Sequence, residues 1–402
     1  MGFVYDRSVC FPRGFTASGV AAGIKTNGVD DLGLIFAESE ATVAAVFTLN
    51  RFQAAPIALS KRNIASSHSR AKAVLVNSGC ANSLTGKRGL KSAEKMASET
   101  ARQLHIGKNR VLVASTGVIG RQLPIENITE GIPALINSLS EEGDHLFSQS
   151  IMTTDKFPKQ VAMEFELSRK GSFRIGGTAK GAGMIHPNMA TMLCFLTTDA
   201  DVDRKKLQEA LSESTRESFN TITIDGDTST NDTVFLLANG ASGVKLRKPS
   251  ELRTFSEGLT AVMKELATMI VRDGEGATRF VRLNVEYAYS YEDAVRVGRA
   301  IGTSPLVKTA IFGGDPNWGR VLSAVGNSYA KYDPSKVELR IGDVCVFKRN
   351  EPQRVDLTRL RDLFASKEIE LTVRLNAGRE SAQVFTCDLS YDYVKINGEY
   401  TT

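Results

Sequence analysis

The chain has 402 residues, of which 42% are hydrophobic and 24% charged, with a formal charge of +5. That length and balance suit one large α/β unit or two average domains with an ample core, and exclude a largely disordered chain. Lysine and arginine are scattered among the acids, with no basic block carrying interleaved aromatics, so nucleic acid is not an expected partner.

At the N-terminus, Asp6 and Arg7 stand where a secretory peptide would need its apolar core, and Asp6 breaks a myristoylation motif. LGLIFA (32 to 37) and ATVAAVFTL (41 to 49) read as a strand pair, and AVLVNSG (73 to 79) as a strand entering a turn. Between 92 and 105, Ala93, Met96, Ala97, Ala101 and Leu104 recur at helical spacing. RVLVAS (110 to 115) reads as a strand that stops at Thr116-Gly117, and MLCFLTT (192 to 198) as a short buried strand. Asp203 is placed to cap a helix with Leu207, Ala210, Leu211 and Ser214 on one side. A longer helix carries Leu252, Phe255, Leu259, Val262, Met263, Leu266 and Met269, and ends at the breaker run 273 to 276. Ile369, Leu371, Val373 and Leu375 alternate, and the C-terminal quarter reads as antiparallel strands. This grouping points to an α+β layered fold rather than a regular βαβ winding. The five cysteines are odd in number and none is in C-x-x-C spacing, which fits a reducing, cytoplasmic setting without disulfides or a zinc site. The uncharged run from 181 to 198 is interrupted by Gly, His, Pro, Asn and Thr, so no membrane span is expected.

GAGMIHPNMATMLCFLTTD (181 to 199) runs a pliable loop directly into an apolar strand, with Ala190-Thr191 at the join. One reading is a loop feeding a core strand. The other is self-cleavage. A threonine hydroxyl needs a neighbouring base, and breaking the bond before Thr191 frees an α-amine whose reference pKa is near ~8. Gly181 and Gly183 allow unusual backbone angles, Pro187 fixes one, and Ala190 leaves its carbonyl unshielded. Thr116 and Gly117 offer a hydroxyl and a backbone N–H as oxyanion donors, or else simply end a strand.

Other schemes find less support. None of His68, His105, His145 and His186 sits in H-E-x-x-H, and no serine sits in a G-x-S-x-G elbow. His186 could act as a base or as a packing residue. IDGDTSTND (224 to 232) opens like a calcium loop at Asp225 and Asp227, but Thr230 and Leu236 occupy the positions that require Gly and Glu. GGTAKGAG (176 to 183) is neither a dinucleotide nor a Walker loop, which leaves Lys180 in a flexible loop unless a site lies beside it. GGDPNWGR (313 to 320) is either a tight turn or a carboxylate anchor through Arg320.

NSGCAN, STGVIG, IMTTD, KGAGMIHPNMATML, DGDTSTND, DGEGAT, GDPNWGR and the terminal INGEYTT occur in this order across nearly the whole chain. Together they resemble the ornithine acetyltransferase, or glutamate N-acetyltransferase, family of the cyclic arginine pathway. The resemblance implies cleavage between Ala190 and Thr191 into an α fragment (1–190) and a β fragment (191–402). These would form one catalytic unit, usually α₂β₂, with a DmpA/ArgJ-like αββα core. It implies an acetylated Thr191 and an oxyanion hole at Thr116 and Gly117. It further implies substrate contacts from Thr154, Lys180, Thr191, Glu275, Asn397 and Thr402. Substrates would be small amino acids, with no metal and no cofactor beyond acetyl-CoA as an optional co-substrate. Lys156, Cys80 and Leu84 depart from the family pattern. Rival expectations are a related self-processing amidase or aminopeptidase, and an uncut ligand-binding protein.

Overall fold

The computed structural model describes residues 2–26, 28–167, 170–186 and 192–399. Apolar, β-branched runs build a mixed sheet from β1 (Phe15–Val20), β2 (Leu32–Phe47), β3 (Arg70–Asn77), β4 (Val111–Ser115), β5 (Lys159–Leu167), β6 (Gly171–Lys180) and β7 (Leu193–Thr198). A short pair, β8 (Asp201–Val202) with β10 (Lys245–Leu246), lies apart from it, and β9 (Thr233–Ala238) completes it. The order is β4-β3-β2-β9-β7-β6-β5, with β1 on β2.

The two runs expected to form a strand pair are instead one continuous strand, β2. Glu38, Ser39 and Glu40 between them are exposed and include no glycine or proline on which a hairpin could turn. The chain bulges there, shifting the β3 register between Phe36 and Ala41. The first half of β2 therefore lies between β1 and β3, and the second half passes to β9.

Helices α1 (Ala55–Ser66), α2 (Gly86–Gln103) and α3 (Ile125–Asn137) seat Leu59, Met96 and Ile132 on Leu34, Leu75 and Val113. On the opposite face, Ile35, Val76, Leu112, Phe195 and Phe235 share a second cluster with Phe147 of α4 (Asp144–Ser150). At the other end of the sheet, α5 (Arg204–Glu217) and α6 (Pro249–Arg272) pack Leu207, Leu211, Val262 and Leu266 on Ile175, Leu196 and Leu236. The Asp203 carboxylate caps α5 as its sequence predicts, accepting from the N–H groups of Lys205 and Lys206.

A second sheet contains β11 (Phe280–Ala288), β12 (Glu338–Ile341), β13 (Val344–Lys348), β14 (Glu351–Pro352), β15 (Glu368–Arg374) and β16 (Glu380–Cys387). One face is covered by α7 (Tyr291–Gly302), α8 (Pro305–Gly313), α9 (Trp318–Gly326) and α10 (Leu357–Ala365). Ile369, Leu371, Val373 and Leu375 are buried, as their alternation requires. This quarter is not wholly antiparallel, because β15 runs parallel to β11. The four helices that intervene supply the long crossover a parallel pair needs. The last helix, α11 (Tyr391–Glu399), has no buried residue. No helix among the described residues is long and apolar enough to cross a membrane.

Strands from either side of the Ala190-Thr191 join meet directly. β6 and β7 pair antiparallel, from Ile175↔Thr198 to Lys180↔Leu193. The far edge of β7 pairs in parallel with β9.

Candidate active site

β4 delivers Thr116 and Gly117 to a turn that lies backbone to backbone against the turn after β3. Gly117 has φ +125°, and a Cβ there would sit 2.4 Å from the Gly79 carbonyl carbon and 2.6 Å from the Cys80 nitrogen. Only glycine fits. The Thr116 N–H donates to the Asn77 carbonyl at 3.0 Å and that of Val118 to Gly79 at 3.4 Å, while the Gly117 N–H has no hydrogen-bond partner among the described residues.

Lys180 is the last residue of β6, buried rather than in a flexible loop. Its ammonium donates to the Thr116 hydroxyl at 3.3 Å and the Thr153 hydroxyl at 2.7 Å. As an acceptor from Lys180, the Thr116 oxygen keeps its own hydrogen free to donate. Burial lowers the Lys180 pKa, and Asp155, 3.9 Å away, opposes that shift.

Beneath this lies a buried ion network. Asp155 accepts from Lys159 at 2.6 Å, from the Gly181 N–H at 2.7 Å and from the Thr153 N–H at 3.0 Å. Burial alone would raise the Asp155 pKa, but Lys159 and Lys180 hold it well below the usual carboxylate range. Lys159 also reaches Asp273, at the end of α6, at 2.6 Å. Lys156 donates its backbone N–H to the same Asp273, so this bond does not depend on its side chain. Of the other departures, Cys80 is buried, and Leu84 is 60% exposed.

Just past Asp273, the Glu275 N–H donates to the Ala182 carbonyl at 2.8 Å, which ties this turn to the loop leading to the join. A Cβ on Gly183 would lie 2.3 Å from the Glu275 carboxylate, so a side chain at 183 would displace that group. Asn397 of α11 donates its side-chain amide to Glu275 at 2.9 Å.

Thr116, Gly117, Thr154, Lys180, Glu275 and Asn397 thus line one cleft of about 220 Å³. Ala190, Thr191 and Thr402 lie outside the described residues. The cleft also exposes Thr153, Asp225, Asp227, Asn231 and Tyr393, which the sequence reading did not select. Three of these belong to the segment 225 to 232, which was weighed as a calcium loop and counted in the resemblance without any site residue being taken from it. Its run of short polar residues between two apolar stretches was the available signal. Asp225 accepts from the N–H groups of Met184 at 2.5 Å and Ile185 at 2.9 Å, and burial pushes its pKa up to about 6.

His186 does not line the cleft. Its Nδ1 lies 3.2 Å from the Thr223 hydroxyl, and burial, then Arg299, push its pKa down to about 4. Arg320 is likewise no substrate anchor within this cleft. Asn317 caps α9, Arg320 donates to the Leu306 carbonyl at 3.0 Å, and Trp318 packs beside Phe347. The cleft is lined by one ammonium, three carboxyl groups, several hydroxyls and a backbone N–H without a partner among the described residues. That set of groups suits a small zwitterionic ligand.

Residues 16–402 match the ArgJ family. The chain is 44% identical over 401 residues to the arginine biosynthesis bifunctional protein ArgJ of Dehalococcoides mccartyi, covering 99% of this chain and 98% of that one. It is 46% identical over 398 residues to the protein of the same name from Symbiobacterium thermophilum, with 98% of each covered. A solved ornithine acetyltransferase from Mycobacterium tuberculosis, complexed with ornithine, is 35% identical with a TM-score of 0.43, covering 46% of this chain and 97% of that one.

Proposed function

The chain belongs to the ArgJ family, and we propose that it is an acetyltransferase of arginine biosynthesis that moves the acetyl group of N²-acetylornithine to glutamate. The chain first cuts itself between Ala190 and Thr191. The Thr191 hydroxyl attacks the acetyl carbonyl, with the freed α-amine as base, and ornithine leaves. Glutamate then attacks the acetyl-threonine ester to give N-acetylglutamate. Thr116 and Gly117 stabilise the oxyanion in both steps. Lys180 and neighbouring hydroxyls, Thr154 among them, hold the substrate carboxylate, and Glu275 pairs with the distal ammonium. Asn397 and Thr402 complete the site.

The single observation carrying this reading is the convergence of Thr116, Gly117, Thr154, Lys180, Glu275 and Asn397, from distant parts of the chain, on one cleft. The Gly117 N–H, without a hydrogen-bond partner among the described residues, supports the oxyanion role, and the αββα core belongs to the same reading. In this reading fragments 1–190 and 191–402 form one catalytic unit, assembled as α₂β₂ in the cytoplasm. The chemistry needs no metal or organic cofactor, and acetyl-CoA enters only as an alternative acetyl donor.

The test pairs intact mass with an acetyl-transfer assay. The purified protein should contain two chains, one starting TMLCF, and form N-acetylglutamate only when glutamate is added. Thr191→Ala should remain whole and inactive. An active wild type of unbroken chain refutes the mechanism, and release of free acetate in place of N-acetylglutamate refutes the acceptor.

A further inference from the structure

The segment 223–233 holds the backbone on both sides of the join. Upstream, Asp225 accepts the N–H groups of Met184 and Ile185 on its two oxygens, Oδ2 at 2.5 Å and Oδ1 at 2.9 Å. The Ile185 carbonyl accepts from the Ile224 N–H at 2.8 Å and the Thr223 hydroxyl at 3.2 Å. Downstream, Asp232 Oδ1 accepts the Met192 N–H at 3.1 Å, and the Met192 carbonyl accepts the Thr233 N–H at 3.2 Å. Two carboxyl groups seven positions apart on one segment therefore hold the last anchored amides before residues 187–191 and the first one after them.

We infer that this segment is a jig for self-cleavage, with Asp225 and Asp232 as positioning residues that fix the two ends of the cleavage loop. The inference rests on the proposed cut before Thr191 and extends it to a motif that the transfer chemistry leaves without a task. Intramolecular attack of a hydroxyl on the preceding carbonyl depends on orientation, since a misplacement of roughly 1 Å can cost about a hundredfold in rate. A loop free at both ends would seldom reach that geometry. The anchors fix where the chain leaves Ile185 and where it resumes at Met192.

The two carboxyls differ in a way that makes the role testable. Asp225 engages an N–H with each oxygen, and asparagine can accept on only one, turning its own N–H₂ towards the other amide. Asp232 engages one N–H through Oδ1, while its buried Oδ2 has no hydrogen-bond partner among the described residues. Asparagine can reproduce that single bond.

The experiment follows the cutting rate of newly made full-length chain by intact mass. Asp225→Ala, Asp225→Asn and Asp232→Ala should each cut roughly tenfold to a hundredfold more slowly, and Asp232→Asn should stay within about threefold of wild type. Asp232→Asn as slow as Asp232→Ala would assign that carboxyl to proton transfer and overturn a positioning role. Asp225→Asn cutting at the wild-type rate would overturn the jig. Amide hydrogen exchange on the uncut Thr191→Ala chain gives a readout independent of cutting. Asp225→Ala should speed exchange at Met184 and Ile185, and Asp232→Ala at Met192, and unchanged protection at either end overturns the inference. A wild-type chain that never cuts overturns the proposed function, and leaves the exchange result to say separately whether the anchors exist.

Discussion

Replacing Gly117 with alanine tests the proposed oxyanion role of its turn where the geometry is least forgiving. The new Cβ would fall 2.4 Å from the Gly79 carbonyl carbon and 2.6 Å from the Cys80 nitrogen, whereas ordinary contacts begin near 3.4 Å. Both obstacles are main-chain atoms of the neighbouring turn, so no side-chain rotation relieves them. The turns must separate by roughly 1 Å, a displacement that can cost about 10²-fold when it moves a catalytic group. Loss of one oxyanion donor costs ~10²–10³. Alanine also resists φ of +125°, which adds backbone strain of about 1–2 kcal/mol to the clash. The expected result is a fall of about a hundredfold or more in kcat for transfer from N²-acetylornithine to glutamate. KM for glutamate should change less than kcat, because Lys180, the carboxylate partner in this reading, ends β6 rather than lying in the turn. The assay is initial-rate kinetics on the variant, with its melting temperature recorded alongside. A well-folded Gly117→Ala enzyme within about threefold of the wild-type kcat would refute the assignment of this turn as the oxyanion hole.

Lys159→Met leaves the carboxyls of Asp155 and Asp273 buried without their shared cation, and should cost about 3–5 kcal/mol in urea unfolding. A loss below about 1 kcal/mol would show that the network contributes little beyond packing. The pKa of His186 is depressed in the folded state from 6.5 to about 4, so its stabilising contribution is present above pH 6.5 and is lost as pH falls towards 4. His186→Gln should therefore flatten the stability profile across that window, by no more than about 1–2 kcal/mol since the ring is partly solvated. Equal slopes for the two proteins would contradict the assignment.

Short-range patterns were legible in the sequence. The Asp203 cap, the buried stripe of α6 and the strand ending at Thr116-Gly117 each follow from local spacing and appear as read. That Thr154, Lys180, Glu275 and Asn397 share one cleft was legible only through the resemblance, because folding brings them together and they share no local pattern. What escaped depends on pairing across the chain. The runs 32 to 37 and 41 to 49 read as two strands, yet only the registers with β3 and β9 decide that β2 continues through the residues between them. Asp225 was weighed as a cation ligand, although its partners are backbone amides about forty positions away, which no residue spacing reveals. The Lys159–Asp273 pair, separated by 114 positions, is hidden in the same way.

The sheet order carries a consequence for a chain cut at the proposed join. Strands β9 and β7 sit between β2 on one side and β6 on the other, so the two fragments would interlock like fingers within a single hydrogen-bonded layer. They could not come apart as rigid bodies, since release would tear two strand–strand seams at once. Once cut, however, an unfolded molecule is two polymers, and recovery becomes a second-order search that the precursor never faced. The durability of the enzyme would then be a matter of how slowly it opens rather than how readily it re-forms.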